Sequence, residues 1–112
     1  MSFGSEGSHQ GQFKHPRGIS QGRLNKFFVQ ALIVIFFFLY SNYSKDGEGF
    51  ILVADSGNSR IQIFRPNDYS YVSEFGSAGS QSGEFMGIEG IQISLNGEII
   101  VCDRENHRVQ IF

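Results

Sequence analysis

The sequence holds one cysteine, Cys102, no tryptophan and only two prolines among its 112 residues. A single thiol excludes an intramolecular disulfide framework and any zinc module built on cysteines, and it fits a reducing, cytoplasmic setting. There is no basic excess. Nine Lys and Arg stand against eleven Asp and Glu, for a net charge of -2, so the chain as a whole is not drawn to a phosphate backbone. Met1-Ser2-Phe3-Gly4 is not a basic stretch leading into an apolar core, so no secretory leader is expected. His9, His15 and His107 show no metal-ligand spacing, and no Ser–His–Asp set assembles from local motifs. No metal, cofactor or catalytic group is therefore expected. What is abundant is phenylalanine, at twelve residues, and glycine, at fourteen. With 40% hydrophobic residues the chain is too apolar for a disordered tail.

The strongest signal is internal repetition. Phe3-Gly4-Ser5-Glu6-Gly7-Ser8 returns as Phe75-Gly76-Ser77-Ala78-Gly79-Ser80. Gly11-Gln12-Phe13 returns as Gly83-Glu84-Phe85, and Gly18-Ile19 as Gly90-Ile91, all at an offset of 72. Further on, Asn58-Ser59-Arg60-Ile61-Gln62-Ile63-Phe64 matches Asn106-His107-Arg108-Val109-Gln110-Ile111-Phe112 at an offset of 48. The difference, 72 − 48 = 24, is the length of an insert in the first repeat, placed at roughly 21–44. Residues 1–20 then begin the first repeat, 45–75 complete it, and 76–112 form a second, incomplete one. A 48-residue unit has the size of a four-stranded propeller blade.

Each unit reads as short strands. Ile91, Ile93 and Leu95 alternate with Gln92 and Ser94, and Asn96-Gly97 is a hairpin turn whose residues tolerate positive φ. Ile99 to Cys102 is apolar on both faces, as in a strand sandwiched between sheets. Val109 to Phe112 is the next strand, and in the first repeat Tyr69 to Phe75 supplies a fourth. Cys102 aligns with Ala54, so a buried core thiol is expected there.

The pattern F-G-x-x-G-x-x-x-G-x-F, then G-I, then I-x-V-x-D-x-x-N-x-R-[IV]-Q-I-F resembles the NHL repeat, most of all that of the tripartite-motif (TRIM-NHL) proteins. It spans about 88 residues, and two features depart from it: Ile88 stands where Pro16 stands in the first repeat, and the insert has no counterpart. The resemblance implies an all-β, six-bladed propeller, here a fragment of about two blades, used as a non-catalytic binding platform. It implies protein partners associated with a ubiquitin ligase, whose activity would reside in a RING module, or alternatively single-stranded RNA. An NHL-like group of extracellular lyases is enzymatic, but it requires disulfides and a metal, which one cysteine argues against.

Gly76, Gly79 and Gly83 fall between an outer strand and the next inner strand, where positive φ is useful. A phosphate-cradling loop would need a helix after them, and a strand pattern follows. Asp55 and Arg60, repeated as Asp103 and Arg108, flank a short loop and are expected to form a structural carboxylate–guanidinium pair. Because blade strands alternate in direction, loops 4–17, 56–59, 76–89 and 104–107 share one end of the molecule. That end carries the candidate ligand residues Lys14, His15, Arg17, Arg104 and His107, mixed with Glu6, Glu84, Glu89 and Glu105. With aromatics scarce there, a protein partner is preferred to RNA.

Phe27 to Tyr40 is a 14-residue, almost wholly apolar run, shorter than the ~20 residues of a membrane-spanning helix. A transmembrane reading is disfavoured. The pyrimidine-rich coding capacity of Phe, Leu and Ser suggests an intron translated in frame, with a genuine insertion as the alternative. Two repeats are also fewer than the roughly three that such folds need, since each buries its face on a neighbour. An isolated chain is therefore expected to be insoluble or loosely folded, with the remaining blades needed for closure.

Overall fold

The computed structural model describes residues 1–23 and 49–112. Residues 24–48, which include the apolar run, lie outside it. The described chain is all-β and forms two propeller blades. The first blade is a four-stranded antiparallel sheet of β3 (Pro16–Gly22), β4 (Phe50–Asp55), β5 (Arg60–Phe64) and β6 (Tyr71–Phe75), in that order. The second is a three-stranded antiparallel sheet of β9 (Ile88–Ile93), β10 (Ile99–Asp103) and β11 (Arg108–Ile111). Two short parallel ladders lie in the glycine-rich loops. One pairs β1 (Ser5–Glu6) with β2 (Gln12–Phe13), and the other pairs β7 (Ser77–Ala78) with β8 (Glu84–Phe85).

The repeat in sequence is a repeat in geometry. β3 and β9 each carry a bulge against the next strand, and the unpaired residue is Arg17 in one and Glu89 in the other. Short 3-10 turns follow β4 (Ser56–Asn58) and β10 (Arg104–Asn106), each closed by a left-handed residue, Ser59 and His107. Aromatic triangles also match. Centroids of Phe3–Phe64, Phe13–Phe64 and Phe3–Phe13 lie 5.0, 5.7 and 6.2 Å apart. Those of Phe75–Phe112, Phe85–Phe112 and Phe75–Phe85 lie 5.1, 5.9 and 6.3 Å apart.

One face of the first blade, its front, presents Leu52, Ala54, Ile61 and Ile63. It packs on the rear of the second blade, where Phe85, Ile88, Ile93, Ile99 and Val101 are buried. β9 lies against β3, and the closeness is set by small residues: a Cβ on Gly22 would sit 3.1 Å from Ile93, and the Ser20 hydroxyl accepts the Ile93 amide at 3.1 Å. This contact is the main core. A smaller cluster of Ile51, Val53 and Phe64 on the rear of the first blade is covered by Phe3, Phe13, Tyr69 and Tyr71.

Three local expectations change. Cys102 is exposed, not buried. It stands on the front of the second blade, whereas its counterpart Ala54 is covered by that blade. Tyr69 precedes β6 in a left-handed conformation, so the outer strand begins at Tyr71. Gln21 and Gly22, placed at the start of the insert by sequence, continue β3 and pair with Ile51 and Phe50. The first strand is thus uninterrupted.

Candidate functional site

The two loop-bearing ends are built by the same polar clasp. Asp55 is fully buried at the end of β4. Its Oδ1 accepts the Lys14 amide at 2.7 Å, and its Oδ2 accepts Asn58 Nδ2 at 2.9 Å, Arg60 Nε at 2.8 Å and Gln62 Nε2 at 3.1 Å. Asp103 repeats this with the Met86 amide at 2.7 Å, Asn106 at 2.9 Å, Arg108 at 2.9 Å and Gln110 at 3.2 Å. Burial alone would raise the Asp103 carboxyl. The Met86 amide, Asn106 and Arg108 outweigh it and hold the group below the ordinary aspartate value.

The rest of each clasp grips the glycine loop. Arg60 donates to the carbonyls of His9 and Gln12 at 2.9 and 3.0 Å and to Glu74 on β6 at 2.8 Å. Arg108 donates to the carbonyls of Ser80, Gln81 and Glu84. Asn58 reaches the Gly7 carbonyl and Asn106 that of Gly79. Gln62 and Gln110 accept the amides of Gly11 and Gly83. The loop can present its carbonyls inward because Gly76, Gly79 and Gly83 hold φ of +101°, +152° and +82°. At Gly79 an added Cβ would also collide with the Glu84 carboxylate. Asn58, Asn106, Gln62 and Gln110 were not singled out by sequence reasoning as site residues. Their recurrence at one offset was the available signal.

The candidate ligand residues lie on this end, above the clasps. Lys14 is exposed, and its carbonyl accepts the Gly57 amide at 2.8 Å, tying the glycine loop to the 3-10 turn. His15 and His107 are exposed and left-handed, at φ 45° and 52°. Arg17 approaches Glu89 at 4.0 Å, and Arg104 binds Glu89 at 3.0 Å and Glu105 through Nε at 2.8 Å. A row of alternating charges, Arg17–Glu89–Arg104–Glu105, therefore crosses from one blade to the other. Beside it an open groove of about 610 Å³ is lined by Ser5, Glu6, Phe13, Lys14, His15 and Pro16. Met86, at the position of Lys14, is exposed on the second blade. Among the described residues no cluster of His, Cys, Asp and Glu could hold a metal. Nor is any described helix long and apolar enough to cross a membrane.

Two copies of one clasp, each locking a glycine loop over a twisted sheet, define a propeller-blade repeat protein. The NHL repeat model matches residues 46–64 and 85–112, one stretch in each of the two units. It is 38% identical over 66 residues to the E3 ubiquitin-protein ligase TRIM71 of Mus musculus, covering 59% of this chain and 5% of that protein. It is 39% identical over 54 residues to the B-box type zinc finger protein ncl-1 of Caenorhabditis elegans, covering 48% of this chain and 6% of that one. The chain thus spans less than a tenth of the length of these relatives. In fold it matches an auxiliary nutrient binding protein from Bacteroides thetaiotaomicron, with a TM-score of 0.61 over 90% of this chain and 23% of that one at 18% identity. At a coarse level the repeats form a non-catalytic protein-interaction module.

Proposed function

We propose that the loop-bearing end is a docking face for a protein partner, in a cytoplasmic module that presents the partner to ubiquitin-ligase machinery. The observation that carries this reading is the charge row. Arg17 and Arg104, two of the five candidate ligand residues, both face Glu89, and Arg104 also faces Glu105. Among the described residues a continuous basic track of the kind that follows a nucleic-acid backbone is not formed. The surface is instead a mixture of both signs with apolar points at Phe13, Pro16 and Met86, the composition of a protein–protein rim and core. The clasp residues Asp55, Arg60, Asp103 and Arg108 serve as structural supports beneath that face, since their polar atoms are committed to loop carbonyls and to one another. The ligase link rests on the names of the relatives.

The experiment pairs two titrations. Single-stranded RNA of mixed sequence is titrated into the chain at low and at physiological salt. Proteins crosslinked to the chain in cells are then compared between wild type and a Lys14→Glu, Met86→Asp double variant. The account expects weak RNA binding without a steep salt slope, and a discrete crosslinked partner lost in the variant. Tight RNA binding that falls steeply with salt would replace the protein partner by RNA.

A further inference from the structure

Two positions above each clasp face one another across the loops, and the two blades fill them oppositely. Position 15 of the first blade corresponds to 87 of the second, and 57 to 105. The second blade sets Gly87 against Glu105: a Cβ added at Gly87 would lie 2.9 Å from Glu105 Cγ. The first blade reverses this, with His15 set against Gly57. A Cβ added at Gly57 would meet Lys14 Cβ at 2.6 Å and the Lys14 carbonyl at 2.7 Å, so no side chain fits there. Gly87 holds φ +70°, and His15 takes the same left-handed backbone at +45°, a conformation uncommon outside glycine. Strained positions of this kind gather at functional sites. Among the described residues no hydrogen bond or ion pair holds the side chain of His15 or of Lys14. Both are exposed. Met86, at the position of Lys14, is 45% exposed with a whole blade packed beside it, whereas Phe85 and Ile88, at the positions of Phe13 and Pro16, are buried. The loop tips thus stay open beside a neighbouring blade, and the apolar floor beneath them does not.

We infer, on the protein-docking reading of this end, that Lys14 and His15 receive an acidic side chain of the partner, carried on a Glu- or Asp-bearing peptide segment. Charge complementarity places that contact over the first blade. The Lys14 ammonium has no carboxylate partner among the described residues. The Arg17 side chain is 57% exposed and reaches Glu89 only at 4.0 Å, because Arg104 holds Glu89 at 3.0 Å. The carboxylate that shares the groove with Lys14 and His15 is Glu6, one acid against an ammonium, a guanidinium and an imidazole that can donate. The second blade offers the reverse. Its Arg104 is held between Glu89 and Glu105, and the positions matching Lys14 and His15 carry Met86 and Gly87, which have no charge. An incoming carboxylate is attracted to the first blade and repelled from the second, so the partner segment is oriented as well as bound. A nucleic-acid backbone would need cations along both blades, and the unpaired ones stand on one.

The test is fluorescence anisotropy on the whole chain, with far-ultraviolet circular dichroism to follow folding. The probe is a short fluorescein-labelled peptide of glutamate, leucine and glycine, set against the same peptide with glutamine for glutamate. Wild type is expected to prefer the acidic peptide by roughly tenfold, and Lys14→Glu is expected to abolish that preference. His15→Gly restores the residue of the twin position, so it should unfold no earlier than wild type, while weakening the acidic peptide by about threefold to tenfold. Glu6→Gln removes the competing carboxylate and should tighten the acidic peptide by about twofold to fivefold. Equal binding of the two peptides overturns the acid as the recognised group, and so does a preference that survives Lys14→Glu. Unchanged acidic-peptide binding in His15→Gly removes the imidazole from the contact. The crosslinked cellular partner separates this contact from the docking face itself. A partner lost in the Lys14→Glu, Met86→Asp variant but not displaced by excess acidic peptide leaves the docking face standing and overturns the acidic anchor. A partner that persists in the double variant overturns both.

Discussion

At the scale of single residues, the aspartate at the end of each second strand organises the loop end. Asp55 is fully buried, and its partner Arg60 keeps only 11% of its side chain exposed. Removing one member of such a pair leaves a charge without its partner. Asp55→Ala is expected to cost about 3–5 kcal/mol in a denaturant titration. Asp103 is equally buried, but Arg108 retains 28% exposure. A figure of about 3–5 kcal/mol would hold for a buried pair; with water reaching Arg108, Asp103→Ala is expected to cost about 1–3 kcal/mol. The pH dependence follows from the lowered Asp103 carboxyl. A depressed folded-state value means the stabilisation is complete above the unfolded-chain value of about 4 and is lost as pH falls through the folded value. The urea midpoint should fall in acid, and Asp103→Asn should flatten that fall. An unchanged acid slope in the variant would show that Asp103 does not contribute to it.

At the scale of elements, the glycine loops are held by backbone conformation as much as by the clasp. Gly79→Ala is expected to cost about 1–3 kcal/mol, because its φ of +152° lies where side chains are rarely found. Gly83→Ala is also strained, at φ +82°, but its new Cβ meets no atom within 4 Å whereas that of Gly79 meets the Glu84 carboxylate, so it should cost less. Equal losses at the two glycines, by thermal or denaturant unfolding, would contradict this ordering. The strands themselves were legible in the sequence, because the period-two alternation and the Asn–Gly turn leave few other conformations. The clasp was half legible. Asp and Arg stood out by charge, while Asn58 and Gln62 needed the loop carbonyls, which no side-chain pattern displays. Tyr69 was misplaced because aromatic residues favour strands, whereas the turn bonds from Tyr69 N–H to the Arg65 carbonyl and from Arg65 N–H to the Ser70 carbonyl, together with the stack on Phe3 at 5.0 Å, hold it outside one.

At the scale of the whole molecule, sequence could tell that two wedges lie side by side but not which flank is covered. Ile99 to Cys102 is apolar on both faces, so alternation is silent about which face meets a neighbour. Ala54 and Cys102 occupy the same slot and differ only in what lies beyond them. That difference is measurable. Cys102 is expected to react with a thiol reagent at the rate of an open thiol in the folded chain. A rate slowed to that of a buried thiol would contradict its place on the exposed front of the second blade.

The packing of one sheet's front on the next sheet's rear underlies all of this. The direct measurement is a methyl nuclear Overhauser spectrum of the chain. Cross-peaks are expected between the methyls of Leu52, Ile61 and Ile63 and those of Ile88, Ile99 and Val101. Cross-peaks confined within each repeat would contradict the two-blade arrangement.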